Sequence, residues 1–313
     1  MPEFFATTNE LRKTVKVVKN VSLDVLDPFI KTAKDIYLVR FLGSELITKL
    51  ESDSLNEDYS KLMELVRLSL GPLAIWLGTA ELSVRLSDSG FTVEKKGEEF
   101  VPASDKKIES VSDSLEKRGF QYLDKVLEFL ELNKSKFPEW SRSKYYTLRV
   151  GNYIRSAVQF QELGLVDIDY SRLTFETLRP LMSNIEERFI TDLIGEDLDI
   201  SLRSKLDGQQ TAAEAKLIAA VRKFVACKTA ELYTSQATKR HRAGSEFREY
   251  KPLVRPVYAD TADTGNFYAE QAAYYLAKVQ QTLNKYADDF GIVPVNDAIE
   301  FNSDEQHIYF AGA

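Results

Sequence analysis

The chain contains the same pattern twice. Residues 26–52 and 178–204 run in parallel without a gap at an offset of 152, which restricts the fold to two copies of one local unit. In both, Leu-x-Pro opens the segment (Leu26, Pro28; Leu178, Pro180), and an acidic-x-aromatic-aliphatic step follows (Asp35, Tyr37, Leu38; Glu187, Phe189, Ile190). A hydrophobic-Gly-x-acidic-Leu cluster closes it: Leu42, Gly43, Glu45 and Leu46 in one copy, Ile194, Gly195, Asp197 and Leu198 in the other. The match resumes with Leu62, Val66 and Arg67 facing Leu217, Val221 and Arg222 at an offset of 155. It returns with Tyr122, Leu123, Lys125 and Val126 facing Tyr275, Leu276, Lys278 and Val279 at 153, then Leu130/Leu283 and Phe137/Phe290. Three blocks in the same order weigh against two unrelated helices that merely look alike.

Each repeat reads as helix, corner, helix. From Ser22 or Thr174 as capping residue, apolar side chains fall at Leu26, Phe29/Ile30, Ala33, Tyr37 and Phe41, and at Leu178, Leu181/Met182, Ile185, Phe189 and Leu193, which is helical spacing on one face. A proline is cheapest in the first turns, so regular helix is expected to settle at or just after Pro28 and Pro180. Gly43 and Gly195 stand where a left-handed residue would end a helix, and the acid two places on suits the start of the next. A longer Leu/Ala-rich helix follows in each half, about Tyr59 to Arg85 and Thr211 to Thr238, with Pro72 expected to kink the first. Leu82 to Val93 has the alternation and the Ser-Asp-Ser-Gly turn of a β-hairpin arm, whereas its counterpart, Lys239 to Arg255, is basic and irregular. Each half then ends in a helix, about Asp105 to Leu132 and Phe267 to Phe290. The expected fold is mainly α: a first helical repeat over residues 1–140, a bridging segment over 141–165 with a helix from Lys144 to Gln161, a second repeat over 166–292, and an extended C-terminal tail over 293–313.

Composition fits two ordinary domains large enough to bury a core: 44% of residues are hydrophobic and 28% charged. A net charge of −7 and a pI near 5.2 argue against a protein that coats nucleic acid. The longest apolar stretch, Leu68 to Ala80, contains Gly71 and Pro72 and reads as a core helix, so no membrane association is expected. Met1 to Thr8 lacks the basic and apolar regions of a signal peptide, which places synthesis in the cytoplasm.

A search for chemistry returns little, and neither catalysis nor a cofactor nor a metal is expected. The two histidines, His241 and His307, are far apart in sequence, and one cysteine, Cys227, cannot form an internal disulfide. Cys227 lies within a helical pattern without a histidine partner and reads as core packing. No dinucleotide fingerprint, phosphate-binding loop or nucleophile elbow occurs. The acids Asp192, Glu196, Asp197 and Asp199 read as a solvated cluster at a helix N-terminus rather than a cation site.

Two segments read as interaction elements. The basic run Lys239-Arg240-His241-Arg242, with Arg248, Lys251 and Arg255, is open to three readings: contact with a protein partner, a solvated arm, or transient contact with DNA, the last weakened by the lack of interleaved aromatic residues. In the tail, Ala298-Ile-Glu-Phe301 and His307-Ile308-Tyr309-Phe310 combine apolar residues with β propensity; they either add a strand to a neighbouring subunit or fold back on their own domain.

The helix with its acidic-x-aromatic-aliphatic step, the Leu-Gly or Ile-Gly corner, the short helix and the long Ala/Leu-rich helix resemble the small helical head–tail connector (adaptor) proteins of tailed phages. The whole tandem chain also resembles an uncharacterised family of Bacteroidetes and their phages. Adaptors usually carry one such unit, whereas this chain carries two and has a longer hairpin arm. The resemblance implies a structural virion protein at the head–tail junction, docked below the portal ring. Its implied partners are the portal protein and neighbouring tail or adaptor ring proteins. It further implies a homo-oligomeric ring of about twelve copies, or about six chains if each supplies two domains. A non-viral helical scaffold or peptide-binding protein is the alternative, and an enzyme with scattered carboxylates a third.

Overall fold

The computed structural model describes residues 4–16, 22–52, 54–82, 85–87, 90–92, 104–240, 255–256 and 264–292. The fold is mainly α. In chain order α1 spans Thr8–Thr14 and α2 Leu23–Ala33, which runs through a π-helical segment, Lys34–Leu38, into α3, Val39–Leu42; α4 (Ser44–Leu50) and the long α5 (Glu57–Leu82) follow. Strands β1 (Arg85–Ser87) and β2 (Gly90–Thr92) pair antiparallel, Leu86 opposite Phe91, as the hairpin pattern required. Then come α6 (Asp105–Leu132), a 3₁₀ turn (Lys134–Lys136), α7 (Pro138–Ser141), α8 (Lys144–Val150), α9 (Ala157–Glu162), β3 (Val166–Asp167) and α10 (Arg172–Ile185). A second π segment, Glu186–Thr191, leads into α11 (Asp192–Ile194), α12 (Glu196–Ser204), α13 (Ala212–Arg240), β4 (Arg255–Pro256), α14 (Thr264–Lys285) and α15 (Ala287–Phe290).

The chain divides into two compact units, residues 1–180 with 238–257, and residues 181–237 with 258–313. In the first, α5 is the element the others pack on. Its Leu62, Val66, Leu70 and Leu73 are inaccessible, as are Leu123, Val126, Leu127 and Leu130 of α6, and each such side chain contributes about 1.5–3 kcal/mol. By composition α5 is long and apolar enough to cross a membrane, yet 67% of its most apolar stretch is buried within the protein, as expected of a core helix. Tyr37, from the π segment, meets Phe120 of α6 edge-on at 5.3 Å and Trp76 of α5 at 6.3 Å. In the second unit Phe189, 152 residues later, packs on Phe224 of α13 at 5.9 Å. Lys216 near the start of α13 donates to the Tyr286 hydroxyl at 2.7 Å, while Lys223, two turns on, lies over Tyr275, so α14 runs against α13 in the opposite direction.

Four expectations need correction. The single helix from Lys144 to Gln161 is two helices, α8 and α9. The chain breaks at Gly151–Ser156, and Ser156 caps the second by accepting from the Gln159 amide at 3.1 Å. The helix of the second repeat is capped not by Thr174 but by Ser171, whose Oγ accepts from the Thr174 amide at 3.1 Å. Regular helix starts ahead of both prolines, so Pro28 and Pro180 sit inside α2 and α10, each six residues before its π segment. Gly43 and Gly195 do have positive φ (85° and 84°), but their ψ values of 151° and 148° are extended rather than left-handed helical, a region open essentially to glycine alone.

Candidate functional site

The two corners share one local geometry. A helix widens into a π turn, closes at a glycine and restarts at the next residue, with the π segments beginning at Lys34 and Glu186. Across the first corner Lys34 Nζ meets Glu51 at 3.1 Å; across the second Arg203 meets Glu186 at 2.9 Å. These are the same two positions, 152 residues apart, with the charges exchanged. The second bridge is more buried and has an additional member: Asp199 takes the Arg203 Nε at 2.9 Å and the Thr191 hydroxyl at 2.9 Å, where the first copy has the buried Ile47. Asp199 is therefore a buried member of a network and not part of a solvated cluster, whereas Asp192, Glu196 and Asp197 are exposed as expected.

The first corner is covered by the segment that follows α6. Trp140 is fully buried and donates its indole N–H to the Phe41 carbonyl at 3.3 Å; Tyr145 stands edge-on to the Phe41 ring at 5.5 Å. Ser143 lies so close that a Cβ on Gly43 would come within 2.9 Å of its own. Glu139 fastens the cover to the long helix by accepting from the Tyr59 hydroxyl at 2.6 Å. Burial first, then this bond to a carboxylate, push the phenol up to about 12.

Beside the cover lies a cluster of interlocking ion pairs. Arg149 of α8 is buried and contacts Glu131 of α6; its Nε lies 2.9 Å from Glu176 of α10, close enough for an ion pair but not aligned as a hydrogen bond. Arg172 reaches Glu131 at 3.1 Å and Glu128 at 3.2 Å, and Arg179 reaches Glu176 at 2.9 Å. Asp124 caps α10 from outside, accepting from the Ser171 hydroxyl (2.9 Å) and the Leu173 amide (3.0 Å). Burial holds the Glu176 carboxyl above its ordinary range despite Arg149 and Arg179, and holds Asp124 up despite its hydrogen bonds and Arg172. Burial also opposes the Arg149 charge, but Tyr145, Glu131 and Glu176 outweigh it and raise its pKa. These carboxylates are matched by guanidinium groups, which makes the cluster a clamp joining α6, α8 and α10.

Among the described residues, no group of three or more His, Cys, Asp and Glu could hold a metal. A small, shallow cleft is lined by Phe4, Phe5, Leu23 and Ile30, and its charged residues pair with one another: Lys31 with Asp27 at 2.5 Å, Lys34 with Glu51 at 3.1 Å. Cys227 is inaccessible and burial pushes its thiol up to about 12. Of the residues read as interaction elements, Lys239 and Arg240 end α13. Arg255 pairs in β4 with Asp167 of β3. His241, Arg242, Arg248 and Lys251 of the arm, and the whole tail including Ile308, Tyr309 and Phe310, lie outside the described residues. Sequence reasoning missed the clamp and the cross-corner bridges. The bridges had a signal: opposite charges at Lys34/Glu186 and Glu51/Arg203 at one constant offset.

Residues 31–150 match the model of a family of unknown function, DUF6712, from within α2 to the last residue of α8. No curated protein and no solved structure matches the chain.

Proposed function

We propose that this chain is a structural head–tail connector of a tailed phage or phage-derived element, working by assembly rather than catalysis. One observation carries the reading: the unit of helix, π turn, glycine corner and short helix, followed by a long core helix, occurs twice with the same backbone geometry at Gly43 and Gly195. That is the arrangement through which the sequence resembles the adaptor proteins. A rigid helical body supports it, since α5 and α6 share a continuous core that could bear load around a closed ring. In this reading the portal and neighbouring ring proteins are the partners, the hairpin β1–β2 and the basic run supply contacts to them, and the head–tail junction of the virion is the location.

The test is capture of the tagged full chain from cells producing the phage or element, with co-purifying proteins identified by mass spectrometry. Portal and tail-completion proteins are expected in the eluate. Their reproducible absence beside an unrelated soluble partner would overturn the proposal in favour of a non-viral scaffold.

A further inference from the structure

The two glycine corners differ in what lies against them. Around Gly43 the cover of α7 and α8 packs on Phe41 and brings Ser143 against the glycine, and Phe41 and Leu46 are buried. At the second corner no described atom lies within 4 Å of where a Cβ on Gly195 would stand. Leu193 and Leu198, at the positions of Phe41 and Leu46, are only partly buried. The two apolar positions that are buried at the first corner are thus more open among the described residues at the second, and Ile200, 60% exposed where the first copy has the likewise exposed Thr48, adds an apolar side chain at the rim.

We propose that the segment following Ile292, centred on Val293–Phe301, docks on the Gly195 corner of its own chain as residues 138–146 dock on Gly43. The inference rests on the equivalence of the two repeats and not on the connector reading. Chain order supplies the first argument: the cover begins directly after Phe137, and Phe290 holds the matching place at the end of α15. The family match, which runs to the end of α8, includes the cover within its unit. Geometry supplies the second. In the first unit Lys136 with Asp58 (2.8 Å), and Lys49 over the Tyr59 ring, bring the end of the last helix and the end of α4 to the start of the long helix. In the second, Lys216 with Tyr286 (2.7 Å) and Lys205 with Glu214 (2.5 Å) bring the matching ends to the start of α13. The chain therefore leaves α15 at the end of α13 where the corner helix terminates.

Reach and chemistry agree. Ser143 stands six residues past Phe137, and the same count from Phe290 arrives at Asn296; six extended residues span about 20 Å. Val293, Val295, Ile299 and Phe301 supply the apolar side chains that Trp140 and Tyr145 supply in the first copy.

Paired cysteines in the full chain test this: Asp197→Cys with Asn296→Cys, and separately Asp197→Cys with Glu300→Cys, under dilute oxidant, with Cys227 too buried to compete. An intrachain disulfide in at least one pair, formed at a rate independent of protein concentration, is the expected result. Disulfide-linked dimers would assign the corner to a second copy, and free thiols in both pairs would leave it to another occupant such as the basic run; either overturns the proposal. Independently, ending the chain at Ile292 should speed amide exchange over residues 193–200 about tenfold relative to the full chain. Unchanged exchange would contradict the docking.

Discussion

Arg203 reaches back across the Gly195 corner to Glu186 at 2.9 Å, and 152 residues earlier Glu51 meets Lys34 across the Gly43 corner with the signs exchanged. A bridge kept in place while its charges invert is what pairwise electrostatics requires of two interacting positions, because either order satisfies Coulomb attraction and a single change satisfies neither.

The bridges should respond unequally to reversal. Glu186→Lys places a buried cation against Arg203 and should cost about 3–5 kcal/mol in denaturant unfolding, since the Glu186 side chain is 2% exposed. Lys34→Glu, at a bridge whose partners are about a quarter exposed, should cost about 1 kcal/mol or less. Glu186→Lys with Arg203→Glu should recover only part of the loss, because the new carboxylate faces Asp199. Adding Asp199→Ile, which reproduces Ile47 of the first copy, should recover more. A double variant as stable as the parent would contradict the role given to Asp199.

The corners themselves should separate by their surroundings. In the chain ended at Ile292, which removes the proposed cover, Gly195→Ala meets among the described residues only the backbone cost of positive φ, about 1–3 kcal/mol. Gly43→Ala meets that cost and a Cβ contact of 2.9 Å with Ser143, so its unfolding midpoint should fall further. Ser143→Gly should return part of the difference to Gly43→Ala and leave Gly195→Ala unchanged.

Helix positions, the mainly α class, the hairpin and the two special glycines were legible because each has a local signature: 3.6-residue spacing around Leu62 and Val66, turn residues at Ser87–Gly90, and residues without a side chain where φ must be positive. The π segments were not, since one extra residue per turn leaves no mark in residue type at Lys34–Leu38 or Glu186–Thr191. The cap of α10 was misplaced because half of it comes from Asp124, 49 residues from the amide it serves. The clamp around Arg149 joins three helices through side chains that each look like ordinary surface charges in the sequence.

That clamp predicts a sign of pH dependence opposite to the usual carboxylate. Because the folded-state pKa values of Glu176 and Asp124 are raised, their contribution is fully present below the unfolded value and lost as pH rises through the folded one. The stability advantage of the parent over Glu176→Gln should therefore grow as pH falls from 7 toward 4, measured by urea midpoints at each pH. Arg149→Met removes the buried guanidinium from Glu131 and Glu176, which keep Arg172 and Arg179, and should cost about 3 kcal/mol at pH 7.

Cys227 reports on the core of the second unit. With its thiol pushed up to about 12 and fully buried, labelling at pH 8 should proceed only through opening of the unit and accelerate with denaturant. Its folded pKa is raised, so its contribution to stability is present below the unfolded value of about 8.5 and is lost as pH rises toward 12. Cys227→Ala should flatten that part of the alkaline decline, and rapid labelling of the native protein would contradict the burial.

Quantitative mass spectrometry of purified particles of the phage or element tests the connector account most directly. The account predicts the full chain in the particle at a fixed ratio to the portal protein, one chain per portal subunit or one per two. Particles that carry the portal but lack this chain, while it accumulates free in the producing cells, would contradict it.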